Sequence, residues 1–363
     1  MKKQNIAVVF GGVSVEYDVS CSTGKNVIEG LDRERYNVYP VGITKDGRWV
    51  LFEGDTEMLK NDTWENASTP AHIAPDRGIH GMVTELGNIY IDCAFIALHG
   101  KNGEDGTIQG LFELAGIPYC GPKVLASAVC MDKVASKQIL AQNGIASLPF
   151  DTVSVLDMQD EGTVKIRIEK KFTYPMFVKP VNGGSTIGAK SVHNESELLP
   201  TIKESLAYDS RIMVEPFVDA MECEVGVIGN NEIIVSPVGE IVMHSEFYDY
   251  DTKYTQGAAS LRVPANLSEE ELEYVAQTAK KAYIVLGLSG YCRIDFFKDR
   301  KSGNMILNEI NTLPGLTATS GFPRFYAEMG YAFPKLLDKL IEYAYDTKED
   351  IWTKEQSAFL TQA

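Results

Sequence analysis

A chain of 363 residues, 44% of them hydrophobic, can bury more than one core, so two or three domains are expected. A net charge of −16 without a cluster of lysine and arginine excludes a nucleic-acid footprint, and no apolar stretch reaches membrane-spanning length. The six cysteines (Cys21, Cys93, Cys120, Cys130, Cys223, Cys292) are scattered with no CxxC pair, which reads as small buried hydrophobes in a reducing, cytoplasmic compartment.

Ile6–Phe10 is an apolar strand that stops at Gly11-Gly12 and leads into a helix beginning near Val15. The run is too short for a secretion signal, and Glu16 and Asp18 follow at once. Tyr36–Ile43 and Ile89–Leu98 are further strands, and Ile108–Ala115 is a short amphipathic helix; this alternation predicts a parallel sheet covered by helices. Residues 54–80, rich in Asp, Asn, Pro and Gly, read as an irregular surface excursion. A helix from Val124 to Asn143 ends at Gly144. Then come a strand Pro175–Pro180, the glycine-rich Asn182–Gly188, a helix Ser196–Leu206 and a strand Ile212–Phe217.

Glu222–Ile228 and Glu232–Val238 flank Gly229-Asn230-Asn231, a hairpin signal. Residues 244–260 are polar, aromatic and aperiodic, as a functional loop would be. Ser268 to Glu271 is a capping box for a helix running to about Leu286. Strands Tyr291–Phe297 and Met305–Ile310 are joined by the turn-rich Lys298–Asn304, and Ala332–Tyr345 is a closing helix. The division is 1–128, an α/β unit; 129–220 and 221–349, α+β units; and a tail, 350–363.

The sharpest chemical signal is the strand pair near residue 300. Side chains two apart on a strand share a face, so Arg293 and Asp295 point one way, and Glu309 and Asn311 do likewise on the next strand. Asp295, Glu309 and Asn311 suit magnesium, which takes one or two carboxylates plus substrate phosphates, and Arg293 beside them could stabilise an anion. The alternative is a solvated polar hairpin face. The glycines of Asn182–Gly188, directly after Lys179, form either a plain turn or a phosphate cradle; no GK[ST] follows, so this is not a Walker A loop. Lys133, in an otherwise apolar helical run, reads on its own as a snorkelling surface lysine. Glu215, Phe217 and Glu222 are an adenine and ribose clamp or an ordinary rim. His99 lies where a parallel sheet binds ligands, at the carboxyl end of a strand, as a structural residue or as a catalyst. The turn Gly11–Glu16 lacks the GxGxxG spacing of a dinucleotide-binding unit.

Five stretches, in order, resemble the D-alanine–D-alanine ligase family of ATP-grasp enzymes: Phe10–Glu16, Ala97–Gly110, Val178–Gly188, Phe247–Tyr254 and Cys292–Gly315. The match runs from Ile6 to about Tyr345 and implies a three-domain ATP-grasp architecture, with residues 129–220 and 221–349 as its central and C-terminal lobes. The resemblance implies that Glu16 holds the ammonium of the first D-alanine with His99 nearby, and that Lys133 and Lys179 hold ATP phosphates. It assigns adenine and ribose to Glu215, Phe217, Val218 and Glu222, with Phe297 against the ring. Asp295, Glu309 and Asn311 match the ligands of a pair of magnesium ions, with manganese as the alternative metal. Arg293 and the Gly315 N–H match the oxyanion site, and Ser320 the group receiving the second substrate's carboxylate. Ser185 and Tyr254 would join Glu16 in a triad that closes the site, and Lys253 would contact the transferred phosphate.

The implied reaction converts D-alanine to D-alanyl phosphate, which a second D-amino acid then attacks, supplying peptidoglycan precursors. Biotin-dependent carboxylases, glutathione-type ligases and a catalytically dead nucleotide-binding regulator fit less well, because Tyr248–Tyr254 and Ser320 match the D-amino-acid branch and no metal or phosphate position is lost. Lys253-Tyr254 resembles peptide-forming members rather than those making a D-lactate ester. After Ser320, where the family usually carries a bulky apolar residue, stands Gly321, with Arg324 three residues on. That departure leaves room for a polar side chain, and the chain also looks like the D-alanine–D-serine ligases of vancomycin resistance. D-Serine is the favoured second substrate, with D-alanine, and a housekeeping enzyme, as the alternative; the family implies a homodimer without nucleic-acid or membrane partners.

Overall fold

The structure is a computed structural model that describes residues 2–184, 187–243 and 259–346. The first sheet gathers β1 (Gln4–Gly11), β2 (Tyr36–Ile43), β3 (Trp49–Phe52), β4 (Ser68–Ile73), β5 (Gly81–Thr84), β6 (Gly87–Tyr90), β7 (Cys93–Ile96) and β8 (Tyr119–Cys120), in the order β6-β5-β4-β3-β2-β1-β7-β8. Strands β2, β1, β7 and β8 are parallel, and the rest add as antiparallel hairpins. Interspersed are α1 (Tyr17–Gly30), the short α2 (Glu57–Lys60) and α3 (Thr107–Ala115). Two expectations change here. The strand expected over Ile89–Leu98 is two, because the chain turns at Ile91-Asp92 and only the second half enters the parallel sheet. The 54–80 excursion is not irregular throughout: it supplies β4, and Trp64 within it is fully buried edge-on against Phe10 and Phe52.

The helix expected over Val124–Asn143 is also two, α4 (Val124–Met131) and α5 (Lys133–Gln142). Asp132 between them is extended, and its carboxylate caps α5 by accepting from Val134 N (3.0 Å) and Ala135 N (2.9 Å). Arg211, distant in sequence, pairs with the same carboxylate. The second sheet follows, β9 (Asp151–Ser154), β10 (Met176–Pro180), β11 (Lys190–Val192) and β12 (Arg211–Pro216), antiparallel in the order β11-β10-β12-β9. Helices α6 (Glu161–Lys171) and α7 (Glu195–Ser205) bury Val164, Ile168, Leu198 and Ile202 against it.

The third sheet contains β13 (Ala220–Gly229), β14 (Ile233–Val235), β15 (Gly239–Met243), β16 (Ala259–Arg262), β17 (Tyr291–Asp299) and β18 (Met305–Asn311), in the order β16-β15-β13-β17-β18 with β14 beside β13. Helix α8 (Glu269–Val285) covers one face, started by a complete capping box of Ser268 and Glu271. The hairpin at Gly229 forms as its turn residues require, with Gly229 at φ +126° where a Cβ would strike the Glu232 carbonyl. Helices α9 (Gly321–Glu328) and α10 (Phe333–Tyr345) end the described chain. α10 crosses back to the first core, where Leu336, Leu337 and Leu340 are fully buried and Asp338 pairs with Arg35 and accepts from Tyr36 Oη at 2.9 Å. Each such leucine contributes about 1.5–3 kcal/mol of burial, so α10 pins the first unit to the third. Among the described residues no helix is long and apolar enough to cross a membrane.

Candidate active site

The open face of the third sheet is built by register. Arg293 lies opposite Asn311 and Asp295 opposite Glu309, while on the other side Glu224 faces Asp295 and Glu222 faces Phe297. Cys292, Ile294 and Phe296 alternate with these residues and fill the core beneath, which turns the polar set outwards. The ladder shifts between Asp295 and Phe296, and the extra residue, Asn308, twists β18 where Glu309 and Asn311 leave it. Arg293 grips Asp295 with two bonds of 2.7 Å, from Nε and Nη2, and Asn311 Nδ2 donates to the same carboxylate at 2.9 Å. Burial opposes the Arg293 charge, but Asp295 and Glu224 outweigh it and hold the guanidinium well above its ordinary pKa.

Two lysines face this sheet from the second unit. Lys179, on β10, is 8% exposed, and its ammonium is 2.6 Å from Glu215 Oε2. The other Glu215 oxygen takes Lys137, and both of these residues are 2% exposed. Burial works against ionising Glu215, yet the two lysines hold its pKa below the ordinary carboxylate value. Burial likewise opposes the Lys179 charge, and Glu215 more than restores it. For Lys137 burial prevails and the pKa falls. Lys133 opens α5 because the helix restarts there; its ammonium donates to the Gly183 carbonyl and lies 4.0 Å from Glu309 Oε2. Burial lowers its pKa too.

The first unit brings Glu16 against two glycines. A Cβ on Gly184 would stand 2.8 Å from Glu16 Oε2, and one on Gly100, at φ +66°, would collide with the same oxygen. His99 is buried, with Nε2 2.8 Å from Thr23 Oγ1 and Nδ1 3.8 Å from Glu104 Oε1. Glu104 accepts from Gly100 N at 3.0 Å and from Leu313 N at 3.4 Å, so it ties this corner to the chain leaving β18. Ser320 stands at the N-cap position of that chain's next helix without capping it; its Oγ is 2.7 Å from Thr317 Oγ1 and would be 2.8 Å from a Cβ on Gly315.

The structure therefore gathers Glu16, His99, Lys133, Lys179, Glu215, Arg293, Asp295, Glu309 and Asn311 around the three units' junction, with Gly315, Ser320 and Gly321 at one end. Phe217 is exposed at the end of β12, Val218 is half-buried, and Glu222 and Phe297 are cross-strand neighbours. Arg324 is exposed, and its Nη2 reaches the Leu261 carbonyl of β16 at 3.4 Å. Ser185, Lys253 and Tyr254 lie outside the described residues. Sequence reasoning missed Lys137 and Glu224. Both carried a signal: Lys137 is one helical turn after Lys133, and Glu224 shares a strand face with Glu222.

The donors fit the groups the chemistry asks for. Two carboxylates and an amide oxygen are the sparse, hard set magnesium takes when substrate phosphates complete its shell. Among the described residues no group of three or more His, Cys, Asp or Glu stands close enough to hold a metal without such help. Lys133, Lys137 and Lys179 against Glu215 leave positive charge in excess, as a triphosphate site needs.

Comparison with known proteins agrees in extent and order. Residues 5–122 match the family model described as the D-ala D-ala ligase N-terminus, and residues 139–342 match that of its C-terminus. A D-alanine–D-alanine ligase of Thermoanaerobacter sp. (strain X514) is 43% identical over 96% of this chain and 99% of its own. Among solved structures, the VanG D-Ala:D-Ser ligase from Enterococcus faecalis superposes with a TM-score of 0.86 at 36% identity, covering 94% of this chain and all of its own. The D-alanine–D-alanine ligase from Coxiella burnetii gives 0.86 at 32% identity over 100% and 99%.

Proposed function

The chain belongs to the D-alanine–D-alanine ligase family, ATP-dependent, ADP-forming ligases of three-domain ATP-grasp architecture that serve peptidoglycan synthesis, and we propose that it joins D-alanine to a second D-alanine. The observation that carries this reading is the approach of Lys133, 4.0 Å from Glu309, which joins the lysine side of the site to the face bearing Arg293, Asp295 and Asn311. A carboxylate is a poor acyl donor, so it must first be phosphorylated, and a phosphate cradle must then meet an oxyanion site.

In this reading Glu16 receives the donor's ammonium, and Lys133 and Lys179 receive the ATP phosphates. Glu215, expected among the adenine and ribose contacts, has Lys137 and Lys179 on its two oxygens and in this reading holds the phosphate lysines in place. Phe217, Val218, Glu222 and Phe297 line the nucleoside. Magnesium, as a pair of ions held by Asp295, Glu309 and Asn311, would neutralise charge on the transferring phosphoryl group. Arg293 and the Gly315 N–H stabilise the tetrahedral oxyanion, and Ser320 receives the acceptor's carboxylate. Ser185 and Tyr254, with Glu16, are assigned to closure of the site against water, which would hydrolyse the acyl phosphate, and Lys253 to contact with the transferred phosphate. A cytoplasmic homodimer, where ATP is plentiful, completes the proposal by analogy with the family.

The acceptor was expected to be D-serine; relatives at 37–43% identity named as D-alanine–D-alanine ligases support D-alanine instead. D-Serine stays as the second reading on one observation, the carboxylate of Glu224 in the space above Gly321, which could accept a hydroxyl proton. The test is mass-spectrometric product analysis with ATP, magnesium and equal D-alanine and D-serine. D-Alanyl-D-alanine in excess supports the first reading, D-alanyl-D-serine in excess supports the second, and ATP turnover without either dipeptide would sink both.

A further inference from the structure

Gly315, whose N–H the reading above places at the oxyanion, belongs to the third unit by chain order and to the first by packing. Leu313 and Leu316 on either side of it are each 1% exposed and lie in the first unit's core. Leu313 fills the hollow over Gly121, where at φ +123° a Cβ would stand 3.0 Å from Leu313 Cδ2. A peptide N–H serves an oxyanion well only when its direction is fixed before the charge develops. The groups that fix this one come from the first unit.

Two polar side chains reach the segment, one on each side of Gly315. Before it, Glu104 Oε2 accepts from Leu313 N at 3.4 Å, and the Glu104 carbonyl accepts from Thr312 Oγ1 at 3.4 Å. After it, Asn26 Nδ2 donates to the Leu316 carbonyl at 3.3 Å. Asn26 is on α1, where Ser20 and Thr23 have parallel contacts. Ser20 Oγ accepts from Gly11 N and donates to the Ala97 carbonyl, both at 2.8 Å. Thr23 Oγ1 stands 2.8 Å from His99 Nε2. Residues three apart are neighbours along a helix, so one stripe of α1 meets the turn before Glu16, the strand end at His99 and the Gly315 segment in succession. Packing alone would ask for apolar side chains where Ser20 and Thr23 are buried.

We propose, on the ligase reading above, that Asn26 and Glu104 are positioning residues that hold the Gly315 N–H where the tetrahedral oxyanion forms. Both act through the backbone. Glu104 fixes a peptide nitrogen before Gly315 and Asn26 a carbonyl after it. The N–H between them cannot turn without breaking one of these bonds or lifting a buried leucine from the core.

Asn26→Leu removes the donor at nearly constant size. Its kcat for dipeptide synthesis should fall about tenfold, less than for a lost oxyanion donor, because the N–H is loosened and not removed. Affinity for a phosphinate analogue of the tetrahedral intermediate should fall by the same factor, since both quantities report transition-state binding. The KM values for ATP and both amino acids, and the melting temperature, should stay as in wild type. Asn26→Gln keeps an amide donor and should recover part of the loss. Glu104→Gln leaves one acceptor oxygen for two N–H groups. It should lower kcat and phosphinate affinity together, and raise the donor KM as well through Gly100. Unchanged kcat in Asn26→Leu, or a kcat loss with phosphinate affinity intact, would overturn the proposal. So would a rise confined to the acceptor KM, which would place Asn26 behind Ser320, or a lowered melting temperature with no recovery in Asn26→Gln, which would make its role structural. Wild type that forms no dipeptide from ATP and D-amino acids would instead fail the ligase reading itself.

Discussion

Replacing Lys137 with methionine separates what the buried lysine–glutamate–lysine cluster does for the fold from what it does for the nucleotide. Burial holds the Lys137 amine below its ordinary pKa even beside Glu215, so its charge costs the folded state more than the pair returns. Methionine, of similar length, lifts that cost, while Glu215 keeps Lys179 at 2.6 Å. Removing one ion of a buried pair is costly when it strands the other charge, but here Glu215 keeps Lys179 as its partner, so stability should change by no more than about 1 kcal/mol. Nucleotide binding should suffer instead. Lys133, Lys137 and Lys179 against Glu215 leave positive charge in excess; without Lys137 that excess falls by one, and Glu215 draws on Lys179 alone. A unit charge at about 8 Å through an effective dielectric of about 20 is worth about 2 kcal/mol before screening by solvent. The KM for ATP should rise about tenfold, equivalent to about 1.4 kcal/mol, with the KM for D-alanine unchanged. Steady-state ADP release with each substrate varied, beside a thermal melt, measures both. A variant that melts far lower, or one that loses kcat at unchanged KM for ATP, would refute the reasoning.

Arg293→Ala should lower kcat on the order of a hundredfold or more, as loss of an oxyanion donor does, and a change confined to the KM for ATP would assign it another role. Gly100→Ala would force a Cβ onto Glu16 at φ +66°, so the donor KM for D-alanine should rise about tenfold while that for ATP holds. Unaltered donor kinetics would remove Glu16 from the donor site. Lys133, its pKa lowered by burial, sheds its proton at lower pH than an exposed lysine. ATP affinity should therefore fall on the alkaline side below the ordinary lysine range, and Lys133→Arg should move that limb upward. A limb indifferent to this substitution belongs to another group.

Local periodicity carried much of the site into view from the sequence. A two-residue repeat is a property of the strand itself, so Arg293 with Asp295, and Glu309 with Asn311, could be put on common faces before any partner strand was known. The capping box at Ser268 and the hairpin at Gly229 were equally legible, because their chemistry is complete within a few residues. The resemblance extended that reading from Ile6 to about Tyr345 and supplied the family.

What the tertiary structure decided lies between residues far apart in sequence. The break at Asp132 carries no Gly or Pro to mark it; one Asp132 oxygen caps α5 while the other pairs with the distant Arg211, and the break sets Lys133 beside Gly183. The ladder shift at Asp295 sets which acids stand abreast, and three-dimensional packing alone brings Lys137 to Glu215 and Glu224 over Gly321. The split of the expected Ile89–Leu98 strand and the return of α10 to the first core have the same origin. Periodicity reports which face a side chain takes on its own element, whereas a buried charge is stable only with its partner, and that partner is chosen by the packing of the whole chain.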